Sequence, residues 1–251
     1  MIHSGVFNLC PPLKHDAAPR LIVAGATGVL GSEVLRRLAG SGRFAHTQVL
    51  AKEPMASSAP QVSMVEVASD PGVWQNVFAQ VGVIMFEPPR LYYQREQALW
   101  TPTPEQLLPL AEWLKRCGVQ TLVVVVPHAQ GRLPDAVKRG LANLNEQALS
   151  TLGFDRLLLI RAAQKMPGTS ASGVFSKTAA WMLGVLSYMI PASERPIRPS
   201  KLAEFIAIAL EHLPPGTHIA SPELLWQAAD RGDTQIAVKA WVSRAGSETS
   251  K

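Results

Sequence analysis

Cysteine is nearly absent. Cys10 and Cys117 are the only two, too few for a disulfide framework or a cysteine-rich zinc site, so two free thiols in a reducing cytoplasm are expected. The N-terminal segment has no apolar run of signal-peptide length, because Lys14, His15 and Asp16 follow Pro11-Pro12, and export is not expected. No hydrophobic run reaches the ~20 residues of a membrane span. Ala179 to Ala192 comes nearest, with Ser187 and Pro191 inside it, and reads as a buried or partner-facing helix. There is no Gly-Lys-Ser/Thr phosphate loop and no His/Cys/Asp cluster at ligand spacing, which sets aside phosphoryl transfer and metal chemistry. Lys and Arg outnumber the acids to give a net charge of +5, yet they are scattered rather than gathered into a nucleic-acid arm. A phosphate-bearing small ligand would account for part of that surplus.

What is present is an alternation. From Arg20 onward, short apolar or β-branched runs trade places with segments of helical period, the signature of βαβ units around a parallel sheet. Strands are expected at Leu21–Ala24, Gln48–Ala51, Val62–Val67, Val81–Phe86, Gln120–Val126 and Arg156–Ile160. Apolar spacing of three and four places helices through Val34, Leu35 and Leu38; Val73, Val77 and Phe78; Leu107, Leu108, Ala111 and Leu114; and Val137, Leu141, Leu144 and Leu149. Gly118 and Gly153 stop the last two, as left-handed C-terminal caps. The expected class is α/β, a doubly wound parallel sheet with a small C-terminal helical region. Residues 1–19 read as a flexible tail, 20–161 as the nucleotide-binding core, 162–243 as a substrate or interface region integrated with it, and 244–251 as a second tail. In that region the helix around Trp181 to Met189 is apolar nearly all round, which suits a core or a homodimer surface over 179–190. A helix from Ser200 to Leu213, a strand near His218–Ala220 and a helix from Pro222 follow it.

One motif carries chemistry. Leu21-Ile-Val-Ala24 runs into Gly25-Ala-Thr-Gly28-Val-Leu-Gly31, and a periodic helix follows at once. Between a buried strand and a helix, such a loop offers backbone N–H groups and the positive end of a helix dipole to a pyrophosphate. Gly25 allows the tight turn, Gly28 lets phosphates approach the backbone, and Gly31 lets helix and strand pack closely. Thr27, Val29 and Leu30 complete the expected contact set, with Phe86 at the end of the fourth strand. This is the dinucleotide-binding Rossmann pattern. A carboxylate about 20 residues on suits NAD, a base NADP. Lys52 stands there, with Arg43 or Arg36 to assist, which favours NADP; Glu53 is one place away and keeps NAD open.

The glycine loop resembles that of the extended and atypical short-chain dehydrogenase/reductase superfamily, in particular its nucleoside-diphosphate-sugar-epimerase-like and NmrA-like branches. Leu149-Ser-Thr-Leu-Gly-Phe-Asp-Arg-Leu-Leu-Leu-Ile-Arg161 is similar to the family's helix, glycine and sixth strand, and Ile197-Arg-Pro-Ser-Lys-Leu-Ala203 to a later helix start. The resemblance implies a place near the adenine ring for Asp70. It also implies a Ser or Thr after the fifth strand and a Tyr-x-x-x-Lys on the next helix, where the tyrosine exchanges a proton with the substrate. This sequence departs from both. The fifth strand ends Val125-Val126-Pro127-His128, and alignment puts Lys138 and Ala142 at the tyrosine and lysine positions. No tyrosine lies between Tyr93 and Tyr188. His128, Lys138 and Tyr93 remain as candidate catalytic groups. Two readings follow: a redox-sensing or regulatory dinucleotide-binding protein, and an NADP-dependent oxidoreductase or epimerase-like enzyme acting with unorthodox groups on a small carbonyl substrate. Both are expected to be cytoplasmic.

Overall fold

The computed structural model describes residues 18–57, 59–128, 147–163, 197–230 and 234–248. Its sheet is built from β1 (Arg20–Ala24), β2 (His46–Ala51), β3 (Val62–Glu66), β4 (Val81–Met85), β5 (Thr121–His128), β6 (Arg156–Ala163) and β7 (Gly216–Ala220). All seven are parallel, in the order β3-β2-β1-β4-β5-β6-β7. The order reverses between β1 and β4, the switch point at which a doubly wound sheet opens a crevice beyond its carboxyl ends.

Alternation along the strands decides the two cores. Leu21 and Val23 point to one face with Val49, Val83 and Val123, and pack against α1 (Gly28–Ala39) and the C-terminal helices. Ile22 and Ala24 point to the other with Ile84, Leu122 and Val124, and pack against α3 (Leu107–Arg116). Every one of these ten strand residues is 0% exposed, as a sheet covered on both faces requires. In α1 the buried Leu30, Val34 and Leu38 recur every four residues, and Arg36 and Arg37 lie in the last turn, where a helix dipole favours cations.

Behind the second core a T-shaped chain of rings runs through Trp74, Trp100 and Trp113, with centroids 4.8 and 4.9 Å apart. Its centre, Trp74, explains a departure from expectation. The helix anticipated through Val73, Val77 and Phe78 is a single 3-10 turn, Pro71–Val73. Burying Trp74 requires an extended chain, and Val73 is left 72% exposed. The β2–β3 connection likewise has no helix among its described residues.

The C-terminal helices are α4 (Pro199–His212), α5 (Pro222–Asp230) and α6 (Thr234–Glu248). α4 packs on α1 through Leu202, Ala203, Phe205 and Ile206, so the C-terminal part shares a core with the N-terminal one. α6 runs on to Glu248, into the segment 244–251 that was expected to be a tail; no proline interrupts it, and alanines favour it. Gly118 and Gly153 take the left-handed conformation their cap positions require, with φ of 88° and 70°. The expected interface helix over 179–190 and most of that expected over 137–149 lie outside the described residues; residues 147–151 are helical. No described helix is long and apolar enough to cross a membrane.

Candidate functional site

The N-terminus of α1 meets the glycine loop at the carboxyl end of β1. A helix leaves its first N–H groups without intrahelical partners, and a threonine at the N-cap ordinarily accepts one of them. Thr27 holds that position and makes no such bond. Its buried hydroxyl donates instead to the carbonyl oxygen of Glu87 at 2.5 Å and lies 3.0 Å from the Thr101 hydroxyl. The free N–H groups go to two carboxylates from the chain after β4. Gly28 N–H donates to Glu96 Oε2 at 3.0 Å, and Leu30 N–H donates to Glu87 Oε2 at 2.6 Å. The loop is thus an anion-binding hole, and two side chains of this protein hold it.

Gly28 shows how close the approach is. Its φ is +70°, and a methyl group there would overlap the Glu87 carboxyl group. At Gly31 a Cβ would fall 2.6 Å from the carbonyl oxygen of Gly25, so the expected close packing of helix on loop is present.

Glu96 belongs to the four-residue helix α2 (Gln94–Gln97) and is only 6% exposed. A buried carboxylate must be compensated, and here the compensation is dense. Arg90 donates from its backbone N–H to Oε2 at 3.0 Å and from Nε to Oε1 at 2.8 Å; its Nη2 forms an ion pair with the same Oε1, and the Ser32 hydroxyl adds a contact at 3.3 Å. Burial works to raise the Glu96 carboxyl, but the Arg90 guanidinium and the N–H groups of Arg90 and Gly28 together outweigh it and hold the group below the usual carboxylate range.

The segment from 86 to 100 that carries both carboxylates also covers the ends of two strands. Gly25 N–H donates to the Trp100 carbonyl, Trp100 N–H to Leu50, and Lys52 N–H to Ala98, around an antiparallel bridge between Ala51 and Leu99. The tip of this arm, Leu91, Tyr92 and Tyr93, is exposed by 82, 94 and 52%.

Beside the hole, a cavity of about 620 Å³ opens between α1 and the helix-free β2–β3 connection. Leu35, Met55, Met64 and Leu99 form its apolar walls, and Arg36, Arg95 and Glu96 supply charge.

Of the residues expected to bind a cofactor, Gly25 and Thr27 lie in the turn after β1, and Gly28, Val29, Leu30 and Gly31 form the first turn of α1. Lys52 directly follows β2 and is exposed, and Phe86 follows β4 half-buried. Asp70 caps the 3-10 turn, accepting from Gly72 N–H at 2.9 Å. Arg43 is not a candidate: it lies by the amino ends of the strands with Gln80, Thr121 and Arg156 and pairs with Glu211 at 3.0 Å. Arg36 pairs with Glu33 on the cavity side of α1. Of the candidate catalytic groups, the described residues place Tyr93 and the backbone of His128. Tyr93 sits on the arm with the Arg90 guanidinium over its ring, 3.8 Å from the centroid. His128 is the last residue of β5, and Lys138 lies outside the described residues. Among the described residues, no group of three or more His, Cys, Asp or Glu is placed to hold a metal.

Glu87, Arg90 and Glu96 were not foreseen from the sequence. The available signal was Glu87 itself, a charge directly after a fully apolar strand at the switch point, followed by the stiff Pro88-Pro89 pair.

Strand order, glycine loop and switch point together define a Rossmann-type doubly wound α/β protein. No family model and no curated protein sequence matches the chain. Among solved structures its fold is similar to a nucleoside-diphosphate-sugar epimerase from Staphylococcus aureus, at 16% identity and a TM-score of 0.48 over 83% of this chain and 76% of that one. A UDP-N-acetylglucosamine 4-epimerase from Bacillus cereus gives 11% identity and 0.46 over 85% of each chain. The Bordetella bronchiseptica enzyme WbmG, solved in complex with NAD, gives 12% and 0.42 over 87% of this chain and 79% of that one.

Proposed function

We propose that this chain is a nicotinamide-dinucleotide-binding protein, NADP(H) preferred, that does not transfer hydride and acts as a redox-sensing or regulatory binder. The observation that carries the reading is the pair of backbone donors at the start of α1, Gly28 and Leu30, each already engaging an anionic oxygen. Those donors suit a pyrophosphate. The room in front of them suits one only when the Glu87 carboxyl group has moved aside. Lys52 directly after β2, with Arg36 and Arg95 on the cavity wall, supports a 2′-phosphate over a bare ribose hydroxyl. The sequence supports a binding role over catalysis, since Pro127-His128 replaces the expected hydroxyl residue and no tyrosine follows Tyr93 before Tyr188. Losing the proton donor costs a hydride-transfer enzyme orders of magnitude in rate while leaving dinucleotide affinity nearly intact.

The test is a fluorescence titration with NADPH and NADH. Saturable NADPH binding is expected, abolished by Gly28→Trp and shifted toward NADH by Lys52→Glu. The reading is overturned when neither nucleotide binds at millimolar concentration to the wild type or to a variant with the Glu87 side chain removed.

A further inference from the structure

The 86–100 arm does more than connect β4 to α3. We infer that it is an autoinhibitory latch in which Glu87 and Glu96 act as internal substitutes for a ligand's phosphates, keeping the glycine loop closed until an anion displaces them. This deepens the function proposed above and rests on the same site.

Three independent features carry the inference. First, the carboxylates take the donors a ligand would need: Glu96 Oε2 holds Gly28 N–H and Glu87 Oε2 holds Leu30 N–H. Second, Thr27 turns its hydroxyl away from its own helix to hold the Glu87 carbonyl, so the loop is fitted to the arm and not merely near it. Third, the stretch from Glu87 to Ala98 is poised to leave as a unit. Leu99 and Trp100 anchor the far end of the arm in the core, whereas between Glu87 and Glu96 the chain is held by polar contacts at the loop and exposes Leu91, Tyr92 and Tyr93. Arg90 pairs with Glu96 from within the arm, so it travels with its partner and neither charge is stranded by the movement.

The consequence is specific. Glu87 and Glu96 occupy the Leu30 and Gly28 N–H donors with carboxylate oxygens, and an incoming polyanion cannot share those donors with them. Ligand binding and arm closure are therefore mutually exclusive, and apparent affinity equals the intrinsic affinity reduced by the open fraction.

Removal of Glu87 is the cleanest opening, because its side chain is half-buried and makes no ion pair among the described residues. Glu87→Ala is expected to bind NADPH at least roughly tenfold more tightly than the wild type by removing most of that closure term. Glu96→Gln should move affinity in the same direction. A thermal melt confirms that each variant is folded. In the wild type, saturating NADPH should speed amide hydrogen exchange across residues 88–98.

Equal NADPH affinity for wild type and Glu87→Ala overturns the latch and leaves the proposed function intact. If neither protein binds a dinucleotide, but Glu87→Ala binds inorganic pyrophosphate and the wild type does not, the proposed function fails and the latch stands. Binding of neither probe to Glu87→Ala overturns both.

Discussion

Replacing Gly31 with alanine tests how the glycine loop and α1 are held together. A Cβ at that position lies 2.6 Å from the Gly25 carbonyl oxygen, 2.7 Å from the Ala26 carbonyl carbon and 3.0 Å from Ala26 Cα. All three atoms are backbone, so no side-chain rotation relieves the clash, and the start of α1 must move off the loop by several tenths of an ångström. Overpacking of this kind costs about 1–3 kcal/mol. Alanine is the better helix former by about 1 kcal/mol, and the two effects oppose. The clash should win because it falls on the rigid junction of β1 and α1, giving a net loss of up to about 2 kcal/mol and a Tm drop of up to roughly 8 °C for a chain of this size. Val29→Ala is the control: Val29 lies in the first turn of the same helix and is 48% exposed, so its replacement should be neutral or slightly stabilising. Urea unfolding followed by tryptophan fluorescence reads both. A Gly31→Ala protein as stable as the wild type refutes the close-packing argument, because helix propensity alone would then account for the residue. The variant should also exchange the Gly28 and Leu30 amides faster, since displacing the helix lengthens their bonds to Glu96 and Glu87.

Trp113 is fully buried and donates from its indole to the Gln75 carbonyl at 3.2 Å, so Trp113→Ala should cost roughly 3–5 kcal/mol in chemical unfolding, at the upper end for single core truncations. Glu96 gives a pH signature. Its carboxyl lies below the ordinary value of 4.5, so the stability it supplies is fully present above that value and is lost as the pH falls through the lower folded-state value. The stability gap between wild type and Glu96→Gln should therefore stay constant from neutral pH down to the ordinary glutamate range and narrow below it. A gap that widens on acidification would contradict the assignment. Cys117 is 3% exposed and burial pushes its thiol up. In a Cys10→Ala background, a thiol reagent should modify it only at the rate of unfolding, and fast labelling of the native protein would show that the α3–β5 junction opens locally.

The architecture was legible because it depends on patterns that local chemistry enforces. Six strands read from apolar runs are present within a few residues of their expected ends, since a parallel sheet covered on both faces admits few polar residues. The cap glycines Gly118 and Gly153 were readable for a similar reason, their backbone conformation being one that other residues resist. Where reading failed, a tertiary contact outbid a local pattern. Val73, Val77 and Phe78 have helical spacing, but the ring system needs Trp74 between Trp100 and Trp113, and those partners lie 26 and 39 positions further along the chain. Arg43 was misplaced for the converse reason: proximity in sequence to α1 does not reveal that the chain has by then reached the far end of the sheet, beside Glu211.

The site divides along the same line. Gly25 to Gly31 specify a hole lined with N–H donors, and this is a local property of a strand, a turn and a helix start. What fills the hole is not local. Glu96 is 68 positions from Gly28, and Glu87 is 57 from Leu30. A carboxylate oxygen and a phosphate oxygen are nearly equivalent acceptors to a backbone N–H, so the motif reports affinity for an anion and is silent about which anion. Gly28 would have to be glycine whether the approaching group were a pyrophosphate or Glu87, because both need the space a Cβ would take. The glycine pattern alone therefore supports a dinucleotide site and an internally closed one equally. The competition between the Glu87 carboxyl group and an external phosphate is the quantity that separates them, and it is set by the arm after β4.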